Sequence, residues 1–189
     1  MSGSGFNPWV GPLYKSEGLS GVRLLVLGET QYSGDASYKE PRRARYSEAD
    51  ETEQNVIDLA INGPVQHRPF WNKVTKLLLN RANGESISKA DRADLWNRIA
   101  FYNCIQWTMP AGRTKPTRAM WDEAREPFLS VVRKLSPHII LVLGRRMQGN
   151  LPPVSCVTVC IPHPASRGFT YGAWCSKIHV TLNATRRRL

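Results

Sequence analysis

Four short apolar runs constrain the fold of this 189-residue chain more than any other feature. They are Val22–Leu27, Ile99–Ile105, His138–Leu143 and Val154–Ile161. The first and third end directly at a glycine, as expected of buried strands that enter a loop. Helical patterns separate the runs, so successive strands are joined by crossovers and pair in parallel. We therefore expect an α/β protein, a three-layer α/β/α sandwich around a central, mostly parallel, four-stranded sheet.

The helical patterns carry recognisable start signals. We expect helices over Phe70–Arg81 and Lys89–Asn97, from Thr117 toward Leu135, and over Ala173–Ala184. Ser88 and Thr117 are placed to cap the second and third of these. Pro127 lies inside the third pattern and is expected to kink or split that helix.

The segment Ser33–Arg68 differs in composition from the rest of the chain. It is polar and charged up to Arg43, and a helix is expected from Ser47 to Ile61. It has too few apolar residues to form a core of its own. We therefore expect one domain over residues 1–189, with residues 33–68 as an insertion.

The charge balance favours a polyanionic partner. Lys and Arg number 26 against 15 acidic residues, which gives a formal charge of +11 and an isoelectric point near 9.9. Without Arg186, Arg187 and Arg188 the charge is still +8, so the basic tail does not account for it alone. Nucleic acid is the first partner to expect, with salt-sensitive binding.

No apolar run reaches membrane-spanning length, and the first residues lack a secretory pattern, so we expect a cytoplasmic protein without a membrane partner. The four cysteines form no CxxC pair. Cys156 and Cys160 fall in one expected strand, where residues four apart are roughly 13 Å apart, too far to share a metal ion. We interpret all four as buried or incidental thiols and expect no metal and no cofactor.

Polar residues follow the expected strands, and in parallel sheets sites collect at the carboxyl ends of strands. The first strand leads into Gly28–Tyr32, the second ends near Asn103, and the fourth leads into His163. His163 lies between two prolines, which restrict the backbone and hold the ring in place. A carboxylate, an amide, a histidine and the aromatic Phe70 are thus expected at one end of the sheet.

These motifs resemble the uracil-DNA glycosylase superfamily, most closely its branch with a Gly-Glu-Ala-Pro-Gly first motif. The resemblance rests on Gly28-Glu29, on Phe101–Leu143 with its strand-end Asn103 and its Pro110–Thr117 loop, on Arg68-Pro69-Phe70, and on His163-Pro164-Ala165. It covers most of residues 22–175 apart from the insertion.

The resemblance implies four roles at the reacting nucleotide. Glu29 would position or activate water, or stabilise the sugar cation, and Asn103 would read the Watson–Crick edge of the flipped pyrimidine. Phe70 would stack on the base. His163 would donate a hydrogen bond to the pyrimidine O2 as the base departs with negative charge.

The chain also departs from its relatives. No cysteine precedes Cys104, so the iron–sulfur cluster of that branch is not expected. Tyr32 matches a tyrosine that excludes 5-substituted bases in another branch, and under that alignment Thr30 would replace the catalytic acid. We favour Glu29 because it is the one carboxylate in the motif.

Further residues are expected to contact DNA. They are Arg42, Arg43, Arg113, Ser166, Arg167 and Phe169. The wedge leucine of the relatives is absent, so Arg167 or Phe169 would fill the gap left by the flipped nucleotide.

We therefore predict a monomeric, monofunctional DNA glycosylase that excises uracil or a modified pyrimidine, in DNA repair or in defence against phage DNA with modified cytosine. No lysine stands in the motifs as a Schiff-base nucleophile, so lyase activity is not expected. A catalytically silent nucleic-acid-binding module and a hydrolase of free nucleosides are the alternatives.

Overall fold

The computed structural model describes residues 5–33, 39–44, 48–63, 69–81, 85–110, 114–167 and 169–189. These residues form an α/β fold around a six-stranded mixed sheet. The strands are β1 (Trp9–Val10), β2 (Leu24–Tyr32), β3 (Arg42–Arg43), β4 (Ala100–Met109), β5 (Ile139–Leu143) and β6 (Val157–Ile161). The helices are α1 (Glu51–Asn55), which continues as a π-helical segment (Val56–Ile61), α2 (Pro69–Leu78), α3 (Lys89–Arg98), α4 (Arg118–Leu135), α5 (Arg145–Gln148) and α6 (Tyr171–Arg186).

The expectation of a four-stranded, mostly parallel sheet is wrong in strand number. The path β4–β2–β5–β6 is parallel throughout, as expected, but β1 and β3 each add two residues antiparallel to β4. Two-residue strands carry no readable periodicity. They cover the edge of β4 that would otherwise present unpaired backbone groups.

Strands β2 and β4 run farther than their apolar segments. The last pair between β2 and β5 joins Leu27 to Val142, whereas β2 continues to Tyr32 on β4 alone. A register shift follows Thr30, because Thr30 pairs with Ile105 and Gln31 with Thr108. The residues expected on loops after the first two strands therefore lie within a two-stranded extension of the sheet.

The start of β6 is also later than expected. It begins at Val157 because Val157 pairs with Ile139, the first residue of β5. Cys156 consequently lies outside the strand and Cys160 inside it.

Both expected helix caps are present. The Ser88 hydroxyl accepts a 3.0 Å hydrogen bond from the Asp91 amide, and Thr117 Oγ1 accepts one of 3.3 Å from the Met120 amide. Helix α4 continues through Pro127 without splitting. Helix α2 ends at Leu78, three residues before the expected Arg81.

The hydrophobic core lies around β2, β4 and β5. Leu24–Leu27 and Ile139–Leu143 are buried in full, as is Trp96 of α3. Val56 and Ala60 of the π-helical segment join the same core. The described part of the 33–68 segment therefore packs into the rest of the chain. None of the helices in the described ranges is long and apolar enough to cross a membrane.

Candidate active site

A cavity of about 790 Å³ opens where β5 and β6 end beside the extension of β2 and β4. Its volume is within the range of small-molecule sites. Glu29, Tyr32, Phe70, Asn103 and His163 all line this cavity, as does Ser166. The structure thus brings together residues that are as much as 137 positions apart in sequence (Glu29 to Ser166).

The Asn103 side chain is held in place within the two-stranded extension of β2 and β4. This side chain is buried, with 5% of the residue exposed, and Asn103 lies opposite Gly28 in the parallel ladder. A Cβ at residue 28 would come within 2.3 Å of Asn103 Oδ1, so glycine is required for this approach. Asn103 Nδ2 donates to Gln31 Oε1 at 3.3 Å, which fixes the orientation of the amide.

The backbone beyond β6 sets the tautomer of His163. The Ala165 amide donates a 3.1 Å hydrogen bond to His163 Nδ1. Since a backbone N–H can only donate, Nδ1 is the acceptor and the neutral ring carries its proton on Nε2. The Ser166 amide and hydroxyl both donate to the His163 carbonyl, at 2.8 and 2.7 Å, and close the turn.

Burial is the main cause that lowers the pKa of His163. Glu29 opposes this effect, and the cations Arg146 and Lys73 add to it. The imidazole stacks on Phe70, with ring centroids 5.3 Å apart and planes 21° apart. The ring, with its proton on Nε2 in the neutral form, thus lines the cavity in contact with Phe70.

Glu29 has a partner that the sequence reasoning missed. Arg146, in α5, forms a bidentate ion pair with it: Nε donates to Glu29 Oε1 at 2.7 Å, and Nη2 donates to Oε2. The Glu29 side chain is 13% exposed and that of Arg146 41%, so the pair lies at the cavity rim. The position of Arg146, two residues after the strand-end Gly144, was the available signal.

Thr30 has a structural task. Its hydroxyl donates to the Trp107 carbonyl at 2.7 Å, across the register shift between β2 and β4. The Thr30 side chain is therefore committed to the pairing of the two strands.

Tyr32 lies at the outer end of the extension and is partly exposed. Its hydroxyl donates to the Thr114 carbonyl at 3.5 Å. Desolvation raises the pKa of Tyr32, with a further contribution from Glu29 and an opposing one from Arg146. Tyr32 and the Glu29–Arg146 pair thus form one side of the cavity opening.

The expected DNA-contacting residues do not lie together. Arg42 forms a bidentate pair with Glu48 at 2.8 and 2.6 Å, and Arg43 pairs with Glu123 at 2.5 Å and lies over the Trp107 ring. Both belong to β3, on the outer edge of β4. Arg113 is outside the described residues.

The loop after His163 contains the other expected DNA contacts. Ser166 and Arg167 are exposed there. Phe169 is half-buried, with its ring edge-on to Tyr171 at 5.4 Å and Lys73 Nζ 5.8 Å from its centroid. Lys73 Nζ also donates to the Pro164 carbonyl at 2.8 Å, which ties α2 to this loop.

Across the described ranges, no three His, Cys, Asp or Glu side chains are grouped so that they would hold a metal ion. All four cysteines are free thiols, and Cys104 and Cys175 are buried. Comparisons of the chain with protein-family models and with curated proteins found no match.

Proposed function

We propose that this protein is a monofunctional DNA glycosylase that hydrolyses the N-glycosidic bond of uracil or a modified pyrimidine. The proposal includes the three-layer α/β/α arrangement of the uracil-DNA glycosylase superfamily, a monomeric state and a cytoplasmic location. DNA repair and defence against modified phage DNA are the two roles that fit such an activity.

The offset stack of His163 on Phe70 carries this proposal. Rings in contact lie about 3.5 Å apart, so a centroid distance of 5.3 Å displaces the imidazole sideways by roughly 4 Å. This displacement leaves part of the Phe70 phenyl face uncovered by the imidazole. A second ring has room to stack there, beside the imidazole and in the same plane. A pyrimidine on that face would present its O2 edge to the Nε2–H of His163.

Asn103 supports recognition of a base at the same place. An amide offers both a donor and an acceptor, which suits the Watson–Crick edge of a pyrimidine. Because Gln31 orients this amide and Gly28 leaves room for it, the group is in place before a base arrives. Such preorganisation limits the reorganisation needed in the transition state.

Glu29 and His163 meet the two needs of the reaction. As the N-glycosidic bond breaks, its electron pair leaves with the base and positive charge develops on the sugar. Glu29 provides the anion for the sugar, and His163 donates a hydrogen bond to the base. Water then forms the new bond to the anomeric carbon, and its proton neutralises the departed base anion, which leaves the free base and an abasic site.

A substrate panel tests the proposal. Single- and double-stranded oligonucleotides carry uracil, hydroxymethylated cytosine or glucosylated cytosine, and strand cleavage is measured with and without alkali. We expect alkali-dependent cleavage of at least one substrate, since a monofunctional enzyme leaves the strand intact. Loss of one preorganised donor lowers such rates on the order of 10²–10³-fold, and we expect this of His163→Ala.

The acid is tested by Glu29→Gln, with Glu126→Gln as the matched control. Glu126 is also paired to an arginine, Arg133, but on the surface of α4. The control should keep wild-type rates while Glu29→Gln loses most of the activity. If no oligonucleotide in the panel yields alkali-labile sites, the proposed function is rejected.

One observation favours the alternative of a silent nucleic-acid-binding module. Both Glu29 oxygens accept from Arg146, and a carboxylate so engaged has less capacity to take a proton from water. In that case His163→Ala would leave DNA binding unchanged, and charge reversal at Arg167 would abolish it. Measurable excision by the wild type decides against this alternative.

A further inference from the structure

The charges around the cavity are unbalanced in favour of cations. Among the described residues that line it, the acidic side chain is Glu29, and the basic ones are Lys115, Arg145 and Arg146. Arg146 neutralises Glu29 in the bidentate pair. Lys115 and Arg145 are exposed and have no ion-pair partner within the described ranges. The opening of the cavity therefore favours an anionic ligand.

Arg146 is held in one orientation by its contacts. Glu29 engages Nε and Nη2, and the Arg146 carbonyl accepts a 2.9 Å hydrogen bond from Asn150 Nδ2. A guanidinium has five N–H donors in a planar fork, so the edge that carries Nη1 is not used by this carboxylate. Tyr32 is a further hydrogen-bond partner of this guanidinium, whose side chain is 41% exposed. A fixed arginine with N–H groups to spare is suited to bind a phosphate oxygen.

Arg146 is joined directly to the residue that the proposed function puts beside the sugar. It pairs with Glu29, and its side chain is 41% exposed against 13% for Glu29, so the guanidinium is the more accessible of the two. In a nucleotide the phosphate is joined to the sugar on the side away from the base. With the base on the Phe70–His163 stack and the sugar beside Glu29, the cation next to the sugar is Arg146.

We infer that Arg146, assisted by Arg145 and Lys115, binds a phosphodiester next to the sugar of the target nucleotide. The inference rests on the proposed function and names the substrate class: a nucleotide within a strand, in preference to a free nucleoside or base. Arg146 contacts the substrate directly, and Glu29 positions Arg146 while it serves the sugar.

Binding of uncleaved probes tests this inference. The probes are fluorescent d(TUT) trinucleotides whose central residue carries a 2′-fluorine, which slows bond cleavage by destabilising the sugar cation. Two further probes replace the phosphate on the 5′ or the 3′ side of the central residue by a neutral methylphosphonate. Affinities are measured by anisotropy at fixed salt for the wild type and Arg146→Ala.

We expect one of the two methylphosphonates to weaken binding by the wild type roughly 10-fold, since it removes a charge-assisted hydrogen bond. The Arg146→Ala variant should bind the unmodified probe as weakly as the wild type binds that methylphosphonate probe. The methylphosphonate should not weaken binding by this variant any further. Arg146→Lys keeps the charge without the fork and should be intermediate. Arg133→Ala, which removes the arginine of the matched surface pair, should behave as wild type.

Arg145→Ala provides a second test if Arg146→Ala does not fold, because Arg145 is exposed and outside the ion pair. Arg145→Ala should weaken binding of the unmodified probe by a smaller factor than Arg146→Ala is expected to. Equal affinity of the wild type for all three probes, including no measurable binding, would overturn the inference, as would full methylphosphonate sensitivity in Arg146→Ala. Failure of the proposed function is seen separately, as absence of excision from the substrate panel.

Discussion

The Asn103 side chain lies against the bare α-carbon of Gly28, so closely that a Cβ there would come within 2.3 Å of Asn103 Oδ1 and 3.0 Å of the Phe101 ring. Two neighbouring parallel strands thus combine a residue without a side chain and a residue with a short amide. The absence of a side chain at residue 28 is what leaves room for the Asn103 amide at the cavity.

Gly28→Ala should therefore displace the Asn103 amide. We expect a loss of about 1–3 kcal/mol in the free energy of unfolding, typical of overpacking, and excision lowered on the order of 10²-fold. Urea denaturation and kcat/KM measure the two effects. In the double variant Gly28→Ala/Asn103→Ala the stability should largely return and the activity should not. A fully active and stable Gly28→Ala would contradict this account.

Excision should depend on pH through His163. Burial lowers the pKa of His163 from its usual value of 6.5, so the ring is neutral at pH 7. Protonation at Nδ1 would break the hydrogen bond from the Ala165 amide, and we expect kcat/KM to fall only on the acid side of 6.5. Lys73→Met removes a cation that contributes to the lowered pKa, so in that variant the fall should begin at higher pH.

The same shift has a consequence for stability. The unfolded chain binds the proton at higher pH than the folded one, so the free energy of unfolding should fall as the pH drops below about 6.5 and level off below the folded pKa. Denaturation of the wild type and His163→Ala at several pH values measures this. A pH dependence identical in both would show that His163 makes no contribution.

Lys73 should act on the geometry of the His163 turn. Its ammonium donates to the Pro164 carbonyl at 2.8 Å. Lys73→Ala should lower kcat by about 10-fold or more, since hydrogen bonds from charged groups contribute about 1.5–3 kcal/mol. Lys76→Ala, on the same helix, is the control and should retain wild-type kcat. Hydrogen exchange at Ala165 and Ser166 should increase only in the Lys73 variant.

Tyr32 should restrict substituents at C5 of the base, as the family resemblance implies. Tyr32→Ala should raise excision of 5-hydroxymethyluracil relative to uracil, because it removes the ring beside the cavity opening. Tyr32→Phe keeps the ring and should retain the wild-type ratio. Competition assays with both substrates in one reaction measure that ratio, and equal ratios in all three proteins would exclude this role.

A substitution outside the cavity should lower the stability of the protein without lowering its activity. Ser88→Ala removes the acceptor that caps α3 and should lower the free energy of unfolding by about 0.5–2 kcal/mol. Excision under native conditions should not change. A large loss of activity in this variant would indicate that the other activity losses also reflect unfolding.

The sequence predicted the parallel path of the sheet and the capped starts of α3 and α4 well, since these depend on local patterns. A strand such as the one in His138–Leu143 and a helix cap such as Ser88 are each determined by a few adjacent residues. The extension of β2 was missed because Glu29, Thr30 and Gln31 are polar, and only pairing with β4 makes them a strand. Strands β1 and β3 were missed because two residues are too few to show a period.

The Glu29–Arg146 pair was missed for a different reason. The two residues are 117 positions apart, and no local pattern connects a strand-end acid to one particular arginine in a basic chain. The partner of Glu29 is set by the placement of α5 directly after β5, which no run of adjacent residues encodes.

The extension of β2 and β4 beyond β5 separates two tasks in this molecule. Gly28, Glu29 and Asn103 are part of a hydrogen-bonded ladder, whereas Arg145, Arg146 and Arg167 belong to a short helix and a turn. Arg145 and Arg167 can be replaced without changing the strand pairing, whereas Arg146 is tied to β2 through Glu29. Under the proposed function, contacts to nucleic acid at Arg145 and Arg167 can thus diverge in evolution while the ladder that holds Glu29 and Asn103 is preserved.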